Sequence, residues 1–288
     1  MFSGVLSLTY LSAVLMGVLQ GIAEFLPISS SGHLALFQHF FGMENFEETQ
    51  MFFSVMLHFG TFISVCVYYF QDILEMICEF FRMIRDLFTP RGRRSIQRPP
   101  AARRLVLLII LATMPLFLVL PVKDLVEEVT QSVTFVSCAL LVTGFLLFFS
   151  DRMARGRKNE KSALLRDALL VGVAQGFGTL PGISRSGITI SAGLMCGFSR
   201  TFAVRFSFLM SLPAVLGATI LELKDALEVG VAPELIPMCA VGMVVSCVVG
   251  YIAIRLVNLL SSKGKFGAFA WYCWLAGVVS LVANFLLK

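Results

Sequence analysis

The chain has 288 residues, of which 57% are hydrophobic and only 14% are charged, and its mean hydropathy is +0.85. This composition excludes a soluble globular domain and predicts an integral membrane protein. The formal net charge of +5 comes from arginines and lysines that report topology in such a protein, and no segment has the pattern of a nucleic-acid-binding site.

The first predicted element, residues 1–41, consists of two half-length apolar pieces separated by a polar break. It begins without a basic n-region, so we do not predict a cleaved signal peptide. Gln20 and Glu24 are four residues apart and share one face of the first helix, which should break at Pro27. A turn rich in hydroxyl groups, residues 28–33, leads into a second helix, whose first backbone N–H groups attract an anion.

Six apolar runs are long enough to cross about 30 Å of hydrocarbon. They are residues 50–70, 105–122, 133–149, 203–222, 236–255 and 268–287. Two connections are rich in basic residues and are predicted to be cytoplasmic, namely residues 82–104 and 152–166. The opposite connections carry acids and should face outward: Glu44, Glu47, Glu48, Asp124, Glu127, Glu128, Asp225, Glu228 and Glu234. The only linker-like stretch, residues 91–104, is too short to be a domain, so we predict one membrane domain over residues 1–288.

A second helix pair is predicted over residues 163–199, where the motif of the first pair recurs. GVLQGIAEFLPISSSG and GVAQGFGTLPGISRSG align without a gap and are identical at Gly17/Gly172, Val18/Val173, Gln20/Gln175, Gly21/Gly176, Ile28/Ile183, Ser29/Ser184, Ser31/Ser186 and Gly32/Gly187. They differ where the first copy and the position just after it carry Glu24, Ser30 and His33, and the second carries Thr179, Arg185 and Ile188. One copy therefore brings an acid, a hydroxyl and an imidazole, and the other brings a cation.

The repeat also predicts the topology. The acidic segment after the first pair should lie outside, whereas Arg200 and Arg205 after the second pair should lie inside, and three spans separate the two copies. An odd number of crossings makes an inverted repeat whose two re-entrant hairpins meet near the midplane. We therefore predict an all-α polytopic membrane protein with six transmembrane helices and two re-entrant helix hairpins, in which residues 1–150 and 151–288 form the halves.

Two helix N-termini, several hydroxyls and the forked guanidinium of Arg185 are what a phosphate or diphosphate requires. Glu24 and Arg185 are the strongest functional candidates, because an ionisable side chain inside a membrane segment costs about 3 kcal/mol. Four serines fit a helix cap as well as a ligand contact: Ser29, Ser31, Ser184 and Ser186.

The histidines divide into two groups. His33 lies three residues after Ser30 in the same turn, where it fits either a polar helix start or a general base or nucleophile. His39 and His58 have no such neighbours and are predicted to be interfacial or packing residues, and the seven scattered cysteines are predicted to pack.

The runs QGIAEFLPISSSGH and PGISRSG resemble the two signature motifs of the bacitracin-resistance type undecaprenyl-diphosphate phosphatases, and the resemblance in length, span number and repeat covers essentially the whole chain. It places the acid-or-glutamine of the first motif at Gln20 and its glutamate at Glu24. The serine and histidine of the turn fall on Ser30 and His33, and the arginine of the second motif falls on Arg185. Some relatives carry a second glutamate where this chain has Gln20.

The resemblance implies hydrolysis of undecaprenyl diphosphate to the monophosphate carrier that peptidoglycan assembly reuses, with bacitracin resistance, at a bacterial inner membrane and from an outward-facing site. Arg185 and the helix N-termini would hold the diphosphate, and Ser30 would attack the outer phosphorus with Glu24 or His33 as base. A phosphohistidine at His33 and direct attack by water are the alternatives. A divalent cation, Mg²⁺ or Ca²⁺, is expected from the resemblance, with Glu24 as its ligand.

The rival class is an inverted-repeat transporter or flippase of a lipid phosphate, because broken helices that meet at the midplane are typical of secondary carriers. A carrier needs only binding, whereas a hydroxyl, a base and a cation grouped together favour bond cleavage. The predicted partners are the polyprenyl diphosphate lipid and the bilayer, and the sequence is compatible with a homodimer.

Overall fold

The fold is built from helices in the computed structural model, which describes residues 9–41, 51–88, 99–119, 121, 126, 129–229 and 233–287. These ranges contain α1 (Tyr10–Phe25), α2 (Ser30–Phe41), α3 (Met51–Tyr68), α4 (Phe70–Leu87), α5 (Ala101–Thr113), α6 (Val133–Met153), α7 (Leu165–Phe177), α8 (Arg185–Met195), α9 (Arg200–Val229), α10 (Ile236–Ser262) and α11 (Phe269–Leu286). Short 3₁₀ helices follow α5 and precede α10 and α11. No strand occurs in this part of the chain, so the prediction of an all-α polytopic membrane protein is confirmed.

Five helical segments are long and apolar enough to cross a membrane, namely Ala101–Leu118, Val133–Met153, Arg200–Lys224, Pro233–Ser262 and Phe266–Leu286. They correspond to five of the predicted spans. The remaining prediction, residues 50–70, falls on α3, which meets α4 at a bend of 84°. The bent pair counted as one span gives up to six spans. Helix α4 was not predicted: Arg82 and Arg85 lie on it rather than in a loop, beside exposed apolar side chains such as Phe81 and Ile84.

Ion pairs gather the basic helix ends at one end of the molecule. They join the starts of α5 and α9 to α4 through Arg103–Glu79, Arg103–Asp86 and Arg205–Asp72, and the start of α9 to the end of α6 through Arg200–Asp151. The segment ahead of α7 is bound to α7 by Lys158–Asp167 and to α9 by Arg205–Glu160. The basic connections predicted to share one side of the membrane therefore lie together. Six acidic residues predicted for the other side lie outside the described residues, as do residues 91–98 of the linker: Glu44, Glu47, Glu48, Asp124, Glu127 and Glu128.

The second helix pair enters and leaves at this basic end. Ahead of α7, the backbone N–H of Lys158 donates to the carbonyl of Gly197, which follows α8, at 3.0 Å. The N–H of Ser199 returns a bond of 2.9 Å to the carbonyl of Lys158. Because the chain begins and ends the pair at one place, α7 and α8 form the re-entrant hairpin that the sequence predicts.

Helices of each half pack against helices of the other half. Helix α1 packs along α10 of the second half, and α7 packs along α5 of the first half. Helices α6 and α11 pack against each other, and α3 contacts both α9 and α10. These reciprocal contacts are those of an interlocked pair of repeats, and they bring the breaks of the two hairpins together.

Candidate active site

The tips of the two hairpins are in direct contact. The backbone N–H of Gly182 in the second break donates to Ser29 Oγ in the first at 3.1 Å. A Cβ on Gly32 would lie 2.7 Å from the Cα of Gly182, so a side chain at that position would separate the tips. Gly182 also has a φ of 89°, which L-residues with side chains rarely adopt. The predicted meeting of the hairpins is confirmed, and glycine is what permits it.

Ser29 occupies the sharpest point of the first break. Its φ is 69°, and among the described residues it is the only non-glycine residue in the left-handed region, a conformation that costs about 1–2 kcal/mol. Such strain persists where the surroundings fix the backbone. Here the hydroxyl accepts from the N–H of Gly32 at 3.2 Å and from Gly182, and the carbonyl accepts from Nδ1 of His33 at 2.8 Å. The strained turn sets the direction in which α2 begins at Ser30.

Glu24 is the hub of the polar groups near the tips. Its side chain is only 7% exposed, and its Oε1 accepts a hydrogen bond from Nη2 of Arg185. Its Oε2 accepts from Ser30 Oγ at 3.1 Å and from Gln20 Nε2 at 3.2 Å. The second hairpin thus binds one carboxylate oxygen and the first hairpin binds the other, which fixes the orientation of the carboxylate.

A cavity of about 330 Å³ opens at this hub. It is lined by the end of α1, the two breaks, the N-terminal residues of α2 and α8, one residue of α3 and the second half of α9. The lining residues are Ala23, Glu24, Ser29, Ser30, Ser31, His58, Gly178, Thr179, Ile183, Ser184, Arg185, Val215, Ala218, Thr219 and Glu222. The first N–H groups of a helix have no partner within it and favour an anion. Two helix N-termini and a guanidinium at one cavity therefore offer the donors that a phosphate-sized anion requires.

The Arg185 side chain is paired with Glu24 and is also accessible from the cavity. One guanidinium nitrogen holds Glu24, yet the side chain is 32% exposed where it lines the cavity. A guanidinium has five N–H donors in a planar fork, so donors remain for a phosphate after the carboxylate is bound. The neighbouring Ser184 caps α8 by accepting from the N–H of Gly187 at 3.1 Å, which places Arg185 in the first turn of the helix.

Some of the other predicted site residues line the cavity, and the rest lie outside it and bond to residues that do. Ser31 and Ser184 line the cavity, as does Ser29, although its hydroxyl also joins the two tips. Ser186 does not line it and contacts Ser184 Oγ at 3.3 Å. His33 also lies outside the cavity lining, since its Nδ1 bonds Ser29 and its Nε2 lies 2.8 Å from the hydroxyl of Tyr272.

The structure corrects one prediction and adds two residues. His58 was predicted to be an interfacial or packing residue, but it lines the cavity, with Nδ1 3.0 Å from Gln20 Nε2 and 3.9 Å from Glu24 Oε2. An imidazole within the apolar sequence of α3 is itself a signal of function, and this signal was missed. Thr219 and Glu222 of α9 also line the cavity; they are one turn apart near the end of a span, where sequence gives no reason to single them out.

The donor set limits how a cation could be held. In the described part of the chain no three His, Cys, Asp or Glu side chains are grouped as a metal site. The cavity does offer the carboxylates of Glu24 and Glu222. Mg²⁺ is usually bound by one or two carboxylates together with substrate phosphates and water. The residues therefore fit a cation that binds with a phosphate substrate, and they do not fit a closed site made by the protein.

Comparison with known proteins identifies the family of this chain. A model of the family described as bacitracin resistance protein BacA matches residues 13–279. A protein of Alkaliphilus metalliredigens named undecaprenyl-diphosphatase is 41% identical over 280 residues, which are 97% of this chain and 100% of that protein. Proteins of the same name from Methanosphaera stadtmanae and Syntrophotalea carbinolica are 36% and 41% identical, over 97% and 94% of this chain and 100% and 97% of their own lengths.

Proposed function

The chain belongs to the bacitracin resistance protein BacA family, and we propose that it is a membrane enzyme that hydrolyses undecaprenyl diphosphate to undecaprenyl phosphate and inorganic phosphate. This reaction would return the lipid carrier to cell-wall synthesis and give resistance to bacitracin. The observation that carries the proposal is the hydrogen bond of 3.1 Å from Ser30 Oγ to Glu24 Oε2 in a cavity that Arg185 also lines. A nucleophile, a base and a cation stand together where two helix N-termini meet.

Substrate binding follows from the charges of the cavity. The diphosphate would lie at the N-termini of α2 and α8, with the free donors of Arg185 on its terminal phosphate. Ser31 and Ser184 line the cavity and would donate to phosphate oxygens, and Gln20 would hold the carboxylate of Glu24 in place. The lipid tail would extend along apolar helix surfaces in the bilayer.

The chemical step transfers a phosphoryl group to Ser30. Its Oγ attacks the terminal phosphorus, its proton passes to Glu24 Oε2, and the bond from phosphorus to the bridging oxygen breaks to release undecaprenyl phosphate. Glu24 passes this proton to the departing bridging oxygen and is a carboxylate again. Water then attacks the phosphoserine and gives a proton to Glu24, the bond from phosphorus to Ser30 Oγ breaks, and Glu24 returns the proton to Oγ as inorganic phosphate leaves. Arg185 neutralises the charge that develops on the phosphoryl oxygens in both steps.

A divalent cation, Mg²⁺ or Ca²⁺, would bind with the diphosphate. Glu24 is its proposed ligand, and Glu222 is the other carboxylate of the cavity. Bound there, the cation would supply charge neutralisation between phosphate oxygens. Because the protein offers few ligands, we expect weak binding of the cation in the absence of substrate and stronger binding in its presence.

The site would face outward across a bacterial inner membrane. The basic helix ends, which are predicted to be cytoplasmic, lie at the end where the α7–α8 hairpin enters and leaves. In an inverted repeat the α1–α2 hairpin enters from the opposite face, which is the outer one. Spent carrier diphosphate is released on that side, so an outward opening would give the substrate access.

The deciding experiment is phosphate release from undecaprenyl diphosphate, or its fifteen-carbon analogue, by the purified protein in detergent with Mg²⁺ or Ca²⁺. We expect release by the wild type and release at least about 100-fold slower by Arg185→Ala. Labelled phosphate should be trapped on the wild type by rapid quenching and be absent from Ser30→Ala. A wild type that releases no phosphate with either cation would contradict the proposal and favour the transport of a lipid phosphate.

A further inference from the structure

Helix α11 supports the first break through two consecutive residues. The hydroxyl of Tyr272 lies 2.8 Å from Nε2 of His33, and the two rings stack at a centroid distance of 5.5 Å and an interplanar angle of 14°. The thiol of the buried Cys273 donates to the carbonyl of Pro27 at 3.5 Å. No motif in the sequence points to this region of α11, and Tyr272 lies outside the cavity lining.

The hydrogen bonds of His33 fix its orientation. Nδ1 lies 2.8 Å from the carbonyl of Ser29, which can only accept, so Nδ1 carries a proton. In the neutral ring Nε2 is then an acceptor, and the hydroxyl of Tyr272 is its donor. The two contacts occupy both ring nitrogens and leave neither directed at the cavity.

The carbonyl that His33 holds belongs to the strained residue of the site. Ser29, with its φ of 69°, immediately precedes Ser30, whose hydroxyl bonds Glu24. A rotation of the peptide between Ser29 and Ser30 would move the start of α2 and the Ser30 side chain with it. The line of contacts from Tyr272 through His33 to Ser29 therefore ends at the proposed nucleophile.

The second break has a corresponding support. Thr143 of α6 donates through Oγ1 to the carbonyl of Gly182 at 2.9 Å and accepts from the N–H of Ser184 at 3.2 Å. Helices α6 and α11 pack against each other, and each supplies a hydroxyl for one of the two breaks. At the second break the hydroxyl of Thr143 bonds the backbone directly, whereas at the first break the hydroxyl of Tyr272 acts on the backbone through His33.

We propose that Tyr272 is a positioning residue for the reaction, acting through His33 to hold the Ser29 carbonyl and so the direction of the Ser30 hydroxyl. Its kinetic consequence rests on the proposed phosphatase function. On this basis His33 is a positioning residue too, and neither residue exchanges a proton or a phosphoryl group with the substrate.

The first test is Tyr272→Phe, which keeps the stacked ring and removes only the hydroxyl. We expect kcat to fall about fivefold to tenfold while KM stays within about twofold, because substrate contacts are retained and the alignment of the nucleophile is impaired. Tyr251→Phe is the matched control: the Tyr251 ring packs edge to face against Tyr68, and its hydroxyl has no hydrogen-bond partner among the described residues. A kcat of Tyr272→Phe within about twofold of the control would overturn the proposal.

The second test separates positioning from proton or phosphoryl transfer by His33. The amide nitrogen of His33→Asn can donate to the Ser29 carbonyl as Nδ1 does, but an amide is neither a base nor a nucleophile at neutral pH. We expect His33→Asn to retain at least about tenfold more activity than His33→Ala. Adding Tyr272→Phe to His33→Ala should change kcat less than about twofold. Equal inactivity of the two His33 variants, or a full Tyr272→Phe loss in the His33→Ala background, would contradict the proposal.

A spectroscopic readout is independent of turnover. In protein labelled with nitrogen-15 at its three histidines, the Nε2 resonance of His33 should shift in Tyr272→Phe and not in Tyr251→Phe, because it loses a donor. Absence of that shift would show that the contact does not exist in the membrane protein. A wild type that releases no phosphate but shows the shift would refute the phosphatase function and leave the contact established.

Discussion

The two hairpins share one backbone plan and carry different chemistry. In both, an apolar helix breaks at a proline and a serine caps the helix that follows. The first hairpin then places Glu24 and Ser30 at the cavity, while the corresponding positions of the second hold Thr179 and Arg185. The difference indicates that duplication supplies two anion-attracting helix ends, to which a few side chains add the proposed nucleophile and base on one side and a guanidinium on the other.

Gln20 and Gln175 occupy the same position in the two copies of the motif, yet their surroundings differ. Gln20 bonds Glu24 and contacts His58, so its amide belongs to the site. Gln175 is fully buried, and neither of its side-chain polar atoms has a partner among the described residues. The amide of Gln20 therefore takes part in the site, whereas the amide of Gln175 is buried without a hydrogen bond to the described residues, which lowers the free energy of unfolding.

The largest effect expected is that of Ser30→Ala. Removing a nucleophile from a pre-organised site lowers kcat by about 10⁴-fold or more, whereas substrate binding by Arg185 and the helix ends should persist. Initial rates of phosphate release, together with titration of a non-hydrolysable diphosphate analogue, measure both quantities. Ser262→Ala, at an exposed serine near the end of α10, is the control. Activity of Ser30→Ala above about a hundredth of the wild type would point to attack by another group.

Arg185→Ala tests the corresponding position of the other hairpin. We expect kcat to fall about 10²- to 10³-fold because a donor aimed at developing charge is lost, and KM to rise, in contrast with Ser30→Ala. Arg185→Lys keeps the charge but not the forked donors and should recover only part of the loss. Arg255→Ala, at an exposed arginine of α10, controls for net charge. An unchanged KM in Arg185→Ala would mean that the cation of the second hairpin does not bind the substrate.

Gln20→Glu tests whether the divalent cation binds at Glu24, and its expected effect is smaller than those of the two variants above. The new carboxylate would stand where the amide now lies 3.2 Å from Glu24 Oε2, giving two acids one helical turn apart. We expect the Mg²⁺ concentration for half-maximal activity to fall about tenfold, since a second oxygen ligand strengthens binding of a hard cation. Gln20→Met provides the opposite control, with no ligand and no hydrogen bond. An unchanged or higher Mg²⁺ requirement in Gln20→Glu would place the cation away from Glu24.

Much of this fold could be predicted because its signals are local in sequence. Apolar runs marked five spans, and proline, glycine and serine marked both breaks, since backbone bends in a membrane need special residues. Helix α4 was missed because its apolar and charged residues alternate around an amphipathic helix, which a search for continuous apolar runs passes over.

The site was predictable where its residues lie in the duplicated motif and not elsewhere. Glu24, Ser30 and Arg185 come from the motif, and their grouping follows from the meeting of the breaks. His58, Tyr272 and Glu222 come from spans whose rotation about the helix axis decides which side chains face the tips. That rotation depends on packing between distant segments, which a single sequence does not encode in any short pattern.

The smallest effect expected, and the one that bears most directly on the origin of the asymmetry, is that of Gln175→Met. Methionine has nearly the volume of glutamine without polar atoms, so it removes an unsatisfied buried amide that costs about 1–3 kcal/mol. We expect the midpoint of thermal unfolding in detergent to rise by about 2–4 °C with activity unchanged, whereas Gln20→Met should lose activity. A drop in the midpoint would instead show that the amide of Gln175 has a partner, such as a buried water, that stabilises the second hairpin. The sign of the shift in the unfolding midpoint therefore decides whether the amide of Gln175 destabilises the second hairpin or stabilises it through a separate hydrogen bond.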